Sequence, residues 1–242
     1  MMIIASALLS ITALGILILL ISKHRKYTFY IIWTFISKRA NKEFEPVKKL
    51  LFAECGEISG HVVEIGPGFG ETFQYYIRDP HSISSLTLLE PNVHMHPRLT
   101  QAALSSGVPF DKLRLVSLEA GSCAIPIPDG QADVVICTLV LCSVKDQAAT
   151  LAEIRRILRP GGRFAFLEHV AAPGGFAALA QRALSSTGLW TLCGDGCELR
   201  RRTGEAVVQA GGWAACRITA CRGPSPWLPA VYGVAVRSSG VP

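Results

Sequence analysis

The stretch from Val62 to Phe73, VVEIGPGFGETF, is the feature that most restricts how this chain can fold. A β-branched run is followed by three glycines within five residues and then by residues that suit a helix. In an open parallel sheet, this strand–turn–helix arrangement brings backbone N–H groups and a helix N-terminus to a ligand at the carboxyl edge. We therefore predict a ligand site at Gly66, Gly68 and Gly70, with a flexible connection as the simpler alternative.

Three acidic residues near this turn narrow down the ligand. The dinucleotide fingerprint needs its third glycine where this chain has Glu71, and Glu64 precedes the first glycine by two residues. Acids at these two places disfavour a pyrophosphate. Glu90 ends a second apolar run, at about the offset at which an acid binds a ribose diol. The ligand that these features favour over a nicotinamide cofactor is S-adenosylmethionine, which has a ribose and a positive charge but no pyrophosphate.

Apolar runs alternate with helical patterns along the rest of the chain. This order predicts an α/β fold with a doubly wound, mostly parallel sheet and helices on both faces. Strands are predicted at 61–65, 85–90, 113–118, 132–140, 163–170 and 230–237, and helices at 47–57, 71–77, 97–107 and 147–159. The stretch 37–46 is predicted as a polar connection, and 47–242 as one domain.

The N-terminal segment predicts a membrane anchor. Residues 1–22 carry no charged side chain and would extend about 30 Å as a helix, the thickness of a bilayer core. The basic cluster KHRK follows this run, which favours an uncleaved anchor over a signal peptide and keeps the rest of the chain cytosolic. Residues 23–46 are predicted as a basic, aromatic juxtamembrane segment, with packing on the domain as the alternative. The predicted membrane contact is thus 1–36, with an anchor that either spans the bilayer or lies in one leaflet.

The net charge of +6 is confined to one short segment. Eight basic and two acidic side chains lie between Lys23 and Lys49, whereas the chain from Leu50 onwards carries sixteen of each. An excess of basic side chains next to a membrane anchor suits contact with a membrane surface. Binding of a nucleic acid would instead need a basic stripe across the folded domain. We predict no nucleic-acid partner.

The eight cysteines contain neither a CxxC nor a tandem pair at zinc-finger spacing, so no metal site is predicted. Several lie in apolar runs such as VVICTLVLCSV, where cysteine behaves as a small hydrophobic residue. Free thiols are expected on the cytosolic side of a membrane. A redox pair is the alternative for Cys193 and Cys197, in CGDGC.

Longer motifs resemble a known family. ExGxGxG, ADVVICTLVLCSV and LRPGGRFAFLEHV resemble the class I S-adenosylmethionine-dependent methyltransferases, and TLVLCSVKDQ, LEHVAA, DGCEL and the terminal VYGVAV resemble the methyltransferase-like protein 7 family. The resemblance runs from about Lys42 to Arg237. It implies a Rossmann-like methyltransferase domain that acts on small lipophilic thiols at the endoplasmic reticulum or lipid droplets, facing the cytosol.

The resemblance also implies a set of cofactor contacts: the glycine turn and the end of the fourth strand at the methionine part, and Glu90 at the ribose. The implied residues are Glu64, Gly66, Gly68, Gly70, Glu90, Pro91, Asn92, Gly121, Ser122, Thr138 and Leu139. Ser122 and Cys123 stand where the family usually has acids at the adenine. A charge-assisted hydrogen bond is therefore missing there, and lower cofactor affinity is expected.

Methyl transfer from a sulfonium needs two aligned partners in a dry site. A thiol with an ordinary pKa of about 8.5 is partly ionised at pH 7, so no strong base is required. Cys142 and His169, after the fourth and fifth strands, are the predicted catalytic residues; a pocket wall and a structural histidine are the plainer alternatives. Asp195 is a candidate for capping the acceptor site. Two other functions stay open: O- or C-methylation of a membrane lipid or quinone, and a non-catalytic membrane scaffold with a vestigial cofactor site.

Overall fold

The computed structural model describes residues 15, 18–121, 124–225 and 227–240. The strands are β1 Gly60–Ile65, β2 Ile83–Leu89, β3 Leu113–Val116, β4 Ala132–Thr138, β5 Leu158–His169, β6 Trp213–Cys221 and β7 Ala230–Arg237. The α-helices are α1 Arg25–Cys55, α2 Phe73–Tyr76, α3 His96–Ser105, α4 Gln147–Ile157, α5 Gly175–Ser186, α6 Leu189–Cys193 and α7 Thr203–Ala210. The predicted α/β fold is confirmed.

One seven-stranded sheet has the order β3-β2-β1-β4-β5-β7-β6. The strands from β1 to β5 are parallel, and β7 runs antiparallel between β5 and β6. Because β1 pairs with both β2 and β4, the strand order reverses at β1, and a crevice opens at the carboxyl ends of these strands. Ile65 lies beside Leu89 and Cys137, so the glycine turn, Glu90 and Thr138 leave the sheet at the same edge.

Both faces of the sheet are covered. Val62 belongs to a core cluster with residues of α1, α2 and α3, while Val63 belongs to a second cluster with residues of α4 and α7. Central strand β4 is buried on both faces, which explains its almost unbroken apolar sequence. The alternation of side chains along β1 thus divides the core into two layers.

Helix α1 differs most from the predicted elements. The stretch 37–46, predicted as a connection, is helical and continues without interruption into the predicted helix at 47. The buried residues Phe44, Leu51 and Phe52 fix this half of α1 on the domain. Tertiary packing of one face therefore keeps the polar segment helical.

Smaller differences concern element ends and the C-terminal part. The helix predicted at 71–77 is confined to α2, since the glycine turn continues as far as Thr72. Strand β5 already begins at Leu158, inside the helix predicted at 147–159, and includes the Pro-Gly-Gly segment at 160–162. Strand β7 was predicted with its observed bounds, whereas β6 and α5 to α7 were not predicted.

The predicted anchor, residues 1–22, lies mostly outside the described residues and stays a prediction. Within the described ranges, no helix is both long enough and apolar enough to cross a bilayer. Helix α1 itself carries charged side chains along its length.

Candidate active site

A cavity of about 300 Å³ lies at the carboxyl edge of the sheet, under helix α1. The predicted site residues that line it are Gly66, Gly68, Glu90, Pro91, Thr138, Leu139, Cys142 and His169. Glu64, Gly70, Asn92 and Gly121 lie outside the lining, and Ser122 falls outside the described residues. The fold therefore brings both predicted catalytic residues and most of the predicted cofactor residues to one cavity.

The glycine turn needs glycine for conformation and for space. Gly66 and Gly68 have φ angles of 62° and 61°, the left-handed region that side chains disfavour. A Cβ atom on Gly66 would lie 2.4 Å from Val140 Cγ2, and one on Gly68 would lie 3.1 Å from Trp33 Nε1. The turn thus lets the end of β4 and helix α1 approach its backbone closely.

We expect Gly66→Ala to lower the free energy of unfolding by about 2–4 kcal/mol, because left-handed strain and a clash with Val140 add together. Gly161→Ala is the matched control: Gly161 has a φ of 73°, but a Cβ there meets nothing within 4 Å. It should therefore lose only the strain, about 1–2 kcal/mol. Urea unfolding of both variants measures the difference. Equal losses of unfolding free energy in the two variants would show that the clash with Val140 does not destabilise the protein.

Glu90 is held at the cavity wall by two backbone groups. Its Oε2 accepts a hydrogen bond from Gly68 N at 3.1 Å, and its Oε1 accepts one from Asn92 N at 2.8 Å. Burial raises the pKa of Glu90 to about 7, although both N–H groups oppose this. A carboxylate has further lone pairs, which are available to a ligand in the cavity. Asn92 acts as a support, since its side chain donates to the carbonyl of Lys26 at 2.7 Å.

Glu64 lies beneath the turn and is fully buried. The hydroxyl of Tyr76 donates to its Oε2 at 2.8 Å, whereas its Oε1 has no hydrogen-bond partner among the described residues. Burial raises the pKa of Glu64 to about 7, against the opposing effects of Tyr76 and Lys48. Glu64 therefore pairs with Tyr76 of α2 and does not line the cavity.

Lys48 is a site residue that the sequence did not reveal. It reaches the cavity from α1, and its Nζ donates to Asn41 Oδ1 at 2.8 Å and to Thr72 Oγ1 at 3.4 Å. Burial lowers the pKa of Lys48, while Glu64 and Glu71 oppose this change. A cation beside Glu71, whose Oε1 is buried and has no partner in the described part of the chain, suits a zwitterion. The amino-acid end of S-adenosylmethionine carries both charges, so the residues present fit this cofactor.

One face of α1 covers the cavity. Phe29, Trp33, Phe44 and Lys48 line it at helical spacing, and the ring centroid of Trp33 lies 5.7 Å from that of Phe29. This face packs on the domain, which was the alternative to membrane contact for the segment 23–46. The helical spacing of these residues is the sequence feature that could have indicated a covering helix.

The opposite side of α1 remains exposed at several apolar positions. Phe35 is 79% exposed, and Tyr27 and Ile31 are also exposed. Contact of this side with a membrane stays a prediction.

The turn after β4 depends on one buried carboxylate. Glu168 Oε1 accepts hydrogen bonds from Val140 N at 3.0 Å and Leu141 N at 2.9 Å, and its Oε2 accepts one from Cys142 N at 3.3 Å. Leu139, just before these residues, has a φ of 60°. A non-glycine residue in this region is strained and needs support from its surroundings. Glu168 thereby holds the backbone that carries Leu139 and Cys142 at the cavity.

Cys142, His169 and Cys197 form a buried cluster in the cavity wall. One ligating atom from each lies within 4.8 Å of the other two, and His169 Nε2 is 2.7 Å from Cys197 Sγ. Trp190 Nε1 donates to the same sulfur at 3.1 Å. The neighbouring Cys142 and burial raise the pKa of the Cys197 thiol. The sequence had offered Cys193 as the redox partner of Cys197, but both are free thiols and Cys197 faces Cys142 and His169 instead.

Asp195 also lines the cavity, as predicted for a residue that caps the acceptor site. Its carboxylate pairs with Arg25 at 2.8 Å and with Lys26 at 3.8 Å, at the beginning of α1. Asp195 thus ties the covering helix to the segment that carries Cys197.

Comparisons with known proteins point to one family. The family model described as a methyltransferase domain matches residues 63–166. Human thiol S-methyltransferase TMT1B is 34% identical over 88% of this chain and 87% of its own length. Human thiol S-methyltransferase TMT1A is 33% identical over 81% of both chains.

Solved structures share the fold at low sequence identity. The YcgJ protein from Bacillus subtilis has a TM-score of 0.60 at 15% identity, covering 80% of this chain and 98% of that one. A geranyl diphosphate methyltransferase in complex with S-adenosylmethionine has a TM-score of 0.57 at 13% identity, covering 79% of this chain and 84% of that one. This chain is an S-adenosylmethionine-dependent methyltransferase of class I, and it belongs to the thiol S-methyltransferase family, methyltransferase-like protein 7.

Proposed function

We propose that this methyltransferase methylates the sulfur of small lipophilic alkyl thiols at the cytosolic surface of the endoplasmic reticulum or of lipid droplets. The observation that carries the proposal is the apolar part of the cavity, which is lined by Phe29, Trp33, Trp190 and Leu228. Such a lining suits an alkyl chain. The similarity to the human thiol S-methyltransferases supports sulfur as the methylated atom.

The cofactor would be held by residues at both ends of the glycine turn. We assign Glu90 to the ribose hydroxyls, and Lys48 and Glu71 to the carboxylate and ammonium of the methionine part. Bound there, S-adenosylmethionine supplies an electrophilic methyl group on its sulfonium. The protein contributes mainly by aligning the acceptor sulfur with this group and by excluding water.

Two acids near the acceptor, Asp195 and Glu168, are already paired and are not free to act as a general base. Asp195 is paired with Arg25, and Glu168 is occupied by backbone N–H groups. A thiol needs less help from a base than an alcohol does, because its pKa is about 8.5. These features support thiol methylation over oxygen methylation.

Cofactor binding should weaken at acid pH. The pKa of Glu90 in the free protein is raised to about 7, and ribose hydroxyls donate best to its ionised form. Below pH 7 the Glu90 carboxyl of the free protein is therefore protonated, and it must lose this proton when the cofactor binds. The Kd of S-adenosylmethionine should rise about tenfold between pH 8 and pH 6. Calorimetric titration at several pH values measures this change; Glu90→Gln should show a much flatter profile, and a constant wild-type Kd would contradict the assignment.

The lipophilic acceptor is tested by a series of alkyl thiols of increasing chain length. In detergent solution, kcat/KM should rise with chain length, and Trp33→Ala should reduce this rise. Leu50→Ala is the matched control, because Leu50 is exposed on the same helix and lies outside the predicted membrane contact, 1–36. If Trp33→Ala leaves the dependence of kcat/KM on chain length unchanged, the assignment of Trp33 to the acceptor region is contradicted.

The membrane part needs a separate comparison on phospholipid vesicles. Deleting residues 1–22 should lower turnover of vesicle-bound long-chain thiols while leaving that of a short water-soluble thiol unchanged. Equal turnover of both acceptors by the full chain and the deletion variant would contradict membrane delivery.

A further inference from the structure

The cluster of Cys142, His169 and Cys197 lies in the same cavity as Glu90 and the glycine turn, but none of the cofactor contacts assigned above uses it. Building on the proposed thiol acceptor, we propose that Cys142 Sγ, His169 Nε2 and Cys197 Sγ bind a zinc ion. The fourth position of this ion faces the cavity and takes the sulfur of the acceptor. Three protein ligands with one open position are the pattern of catalytic zinc, and two cysteines with one histidine are a known ligand set.

The separations fit a tetrahedral ion after small movements. Bonds of about 2.3 Å to sulfur and about 2.0 Å to nitrogen place the ligand atoms about 3.5–3.8 Å apart. All three atoms already lie within 4.8 Å of one another. The distance of 2.7 Å between His169 Nε2 and Cys197 Sγ is that of a hydrogen bond. When zinc replaces the shared proton, this pair opens by about 1 Å.

Hydrogen bonds to backbone carbonyl groups connect the three segments that carry the ligands. Glu198 N donates to the carbonyl of Cys142 at 2.9 Å, so the segment of Cys197 is fixed to the turn after β4. Arg201 Nη1 donates to the carbonyl of Leu141 at 2.7 Å, and Ala171 N donates to the carbonyl of Arg201 at 2.8 Å. The ligands are therefore positioned before any metal arrives.

Charge and outer contacts also suit zinc. Two thiolates neutralise a divalent cation, so the loaded site carries no net charge in a largely apolar cavity. Trp190 Nε1, which donates to Cys197 Sγ at 3.1 Å, supplies the outer hydrogen bond that metal ligands commonly receive.

The ion would give the methyl transfer a stronger nucleophile. On binding zinc, the acceptor loses its S–H proton to solvent and becomes a thiolate. Its sulfur donates an electron pair to the methyl carbon, and the bond from that carbon to the sulfonium breaks with its electron pair left on the cofactor sulfur. The products are a thioether and S-adenosylhomocysteine. The neutral thioether is a weaker ligand than the thiolate and leaves the ion, and no oxidant or reductant is needed.

The test uses the reduced full chain, incubated with zinc and then dialysed, with metal content measured by mass spectrometry. About one zinc per chain is expected for the wild type. Cys142→Ser, Cys197→Ser and His169→Gln should each lose most of it, whereas Cys216→Ser, at an exposed thiol on β6, should keep it. Binding of S-adenosylhomocysteine to every variant shows whether its fold is intact. A wild type that retains no more zinc than the Cys142→Ser/Cys197→Ser double variant overturns the proposal.

Cobalt substitution tests the fourth position without measuring turnover. Cobalt in the wild type should show thiolate charge-transfer bands and the visible bands of a tetrahedral ion, and an alkyl thiol should shift them. Bands that an alkyl thiol leaves unchanged would overturn the role of the ion in acceptor binding. Thiol methylation at full rate by metal-free protein would also overturn it while leaving the proposed function intact. A shifted cobalt spectrum with no methylated thiol would uphold the site and refute the proposed function.

Discussion

Replacing Glu90 by alanine is expected to weaken S-adenosylmethionine binding by about two to three orders of magnitude. A hydrogen bond to a charged group contributes about 1.5–3 kcal/mol, and the ribose offers two hydroxyls to this carboxylate. The variant also leaves Gly68 N and Asn92 N without their acceptor, which loosens the turn that lines the cavity. Loss of ligand contacts and loss of the arranged turn therefore act in the same direction.

Calorimetric titration with S-adenosylhomocysteine, which has the same ribose, measures the loss of affinity. Glu90→Gln keeps the shape and one acceptor oxygen, so its loss should be intermediate. Glu205→Ala is the matched control, since Glu205 is an exposed acid on α7 that pairs with Arg202. A Glu90→Ala affinity within twofold of the wild type would show that the ribose is bound elsewhere.

Replacing Glu168 by alanine is expected to lower the free energy of unfolding by about 3–5 kcal/mol. The change leaves the N–H groups of Val140, Leu141 and Cys142 buried without an acceptor, and each such group costs about 1–3 kcal/mol. These penalties are not fully additive, because the turn can relax. Activity should fall with stability, since the turn carries Leu139 and Cys142 to the cavity.

Urea unfolding compares Glu168→Ala with two further variants. Glu168→Gln retains one oxygen but turns an amide N–H group towards the backbone donors, so its loss should be smaller than that of alanine. Glu43→Ala removes an acid that pairs with Arg39 on the exposed surface of α1 and should change stability by less than about 0.5 kcal/mol. A Glu168→Ala variant as stable as Glu43→Ala would contradict the role of this carboxylate in the turn.

The sequence was sufficient to predict the parallel part of the sheet and the edge at which the cavity lies. Local patterns carry this information: β4 is apolar on both faces, and the glycines follow a β-branched strand. Once the strands are parallel, Glu90 and Thr138 must emerge beside the glycine turn. The nature of the ligand followed from acids at positions where a pyrophosphate would need glycine or a cation.

Long-range packing decided the features that the sequence did not predict. Lys48 reaches the cavity only because α1 folds back over the sheet edge, where Arg25 pairs with Asp195. Cysteine spacing did not predict the buried cluster of Cys142, His169 and Cys197, because these residues come from three separate segments of the chain. Strand β6 is half exposed and, among the described strands, pairs only with β7, so its residues lack the continuous apolar pattern of β4.

The most direct test of the proposed function is transfer of a labelled methyl group from S-adenosylmethionine to matched acceptors. An alkyl thiol, the alcohol of the same carbon skeleton, a phenol and a quinone are compared at a cofactor concentration near the wild-type Kd, with Glu90→Ala as the control with weakened cofactor binding. We predict that the label enters the thiol as a thioether, that the other acceptors gain little, and that Glu90→Ala transfers far less label than the wild type. Label in the alcohol, phenol or quinone and not in the thiol would contradict the assignment of sulfur as the methylated atom.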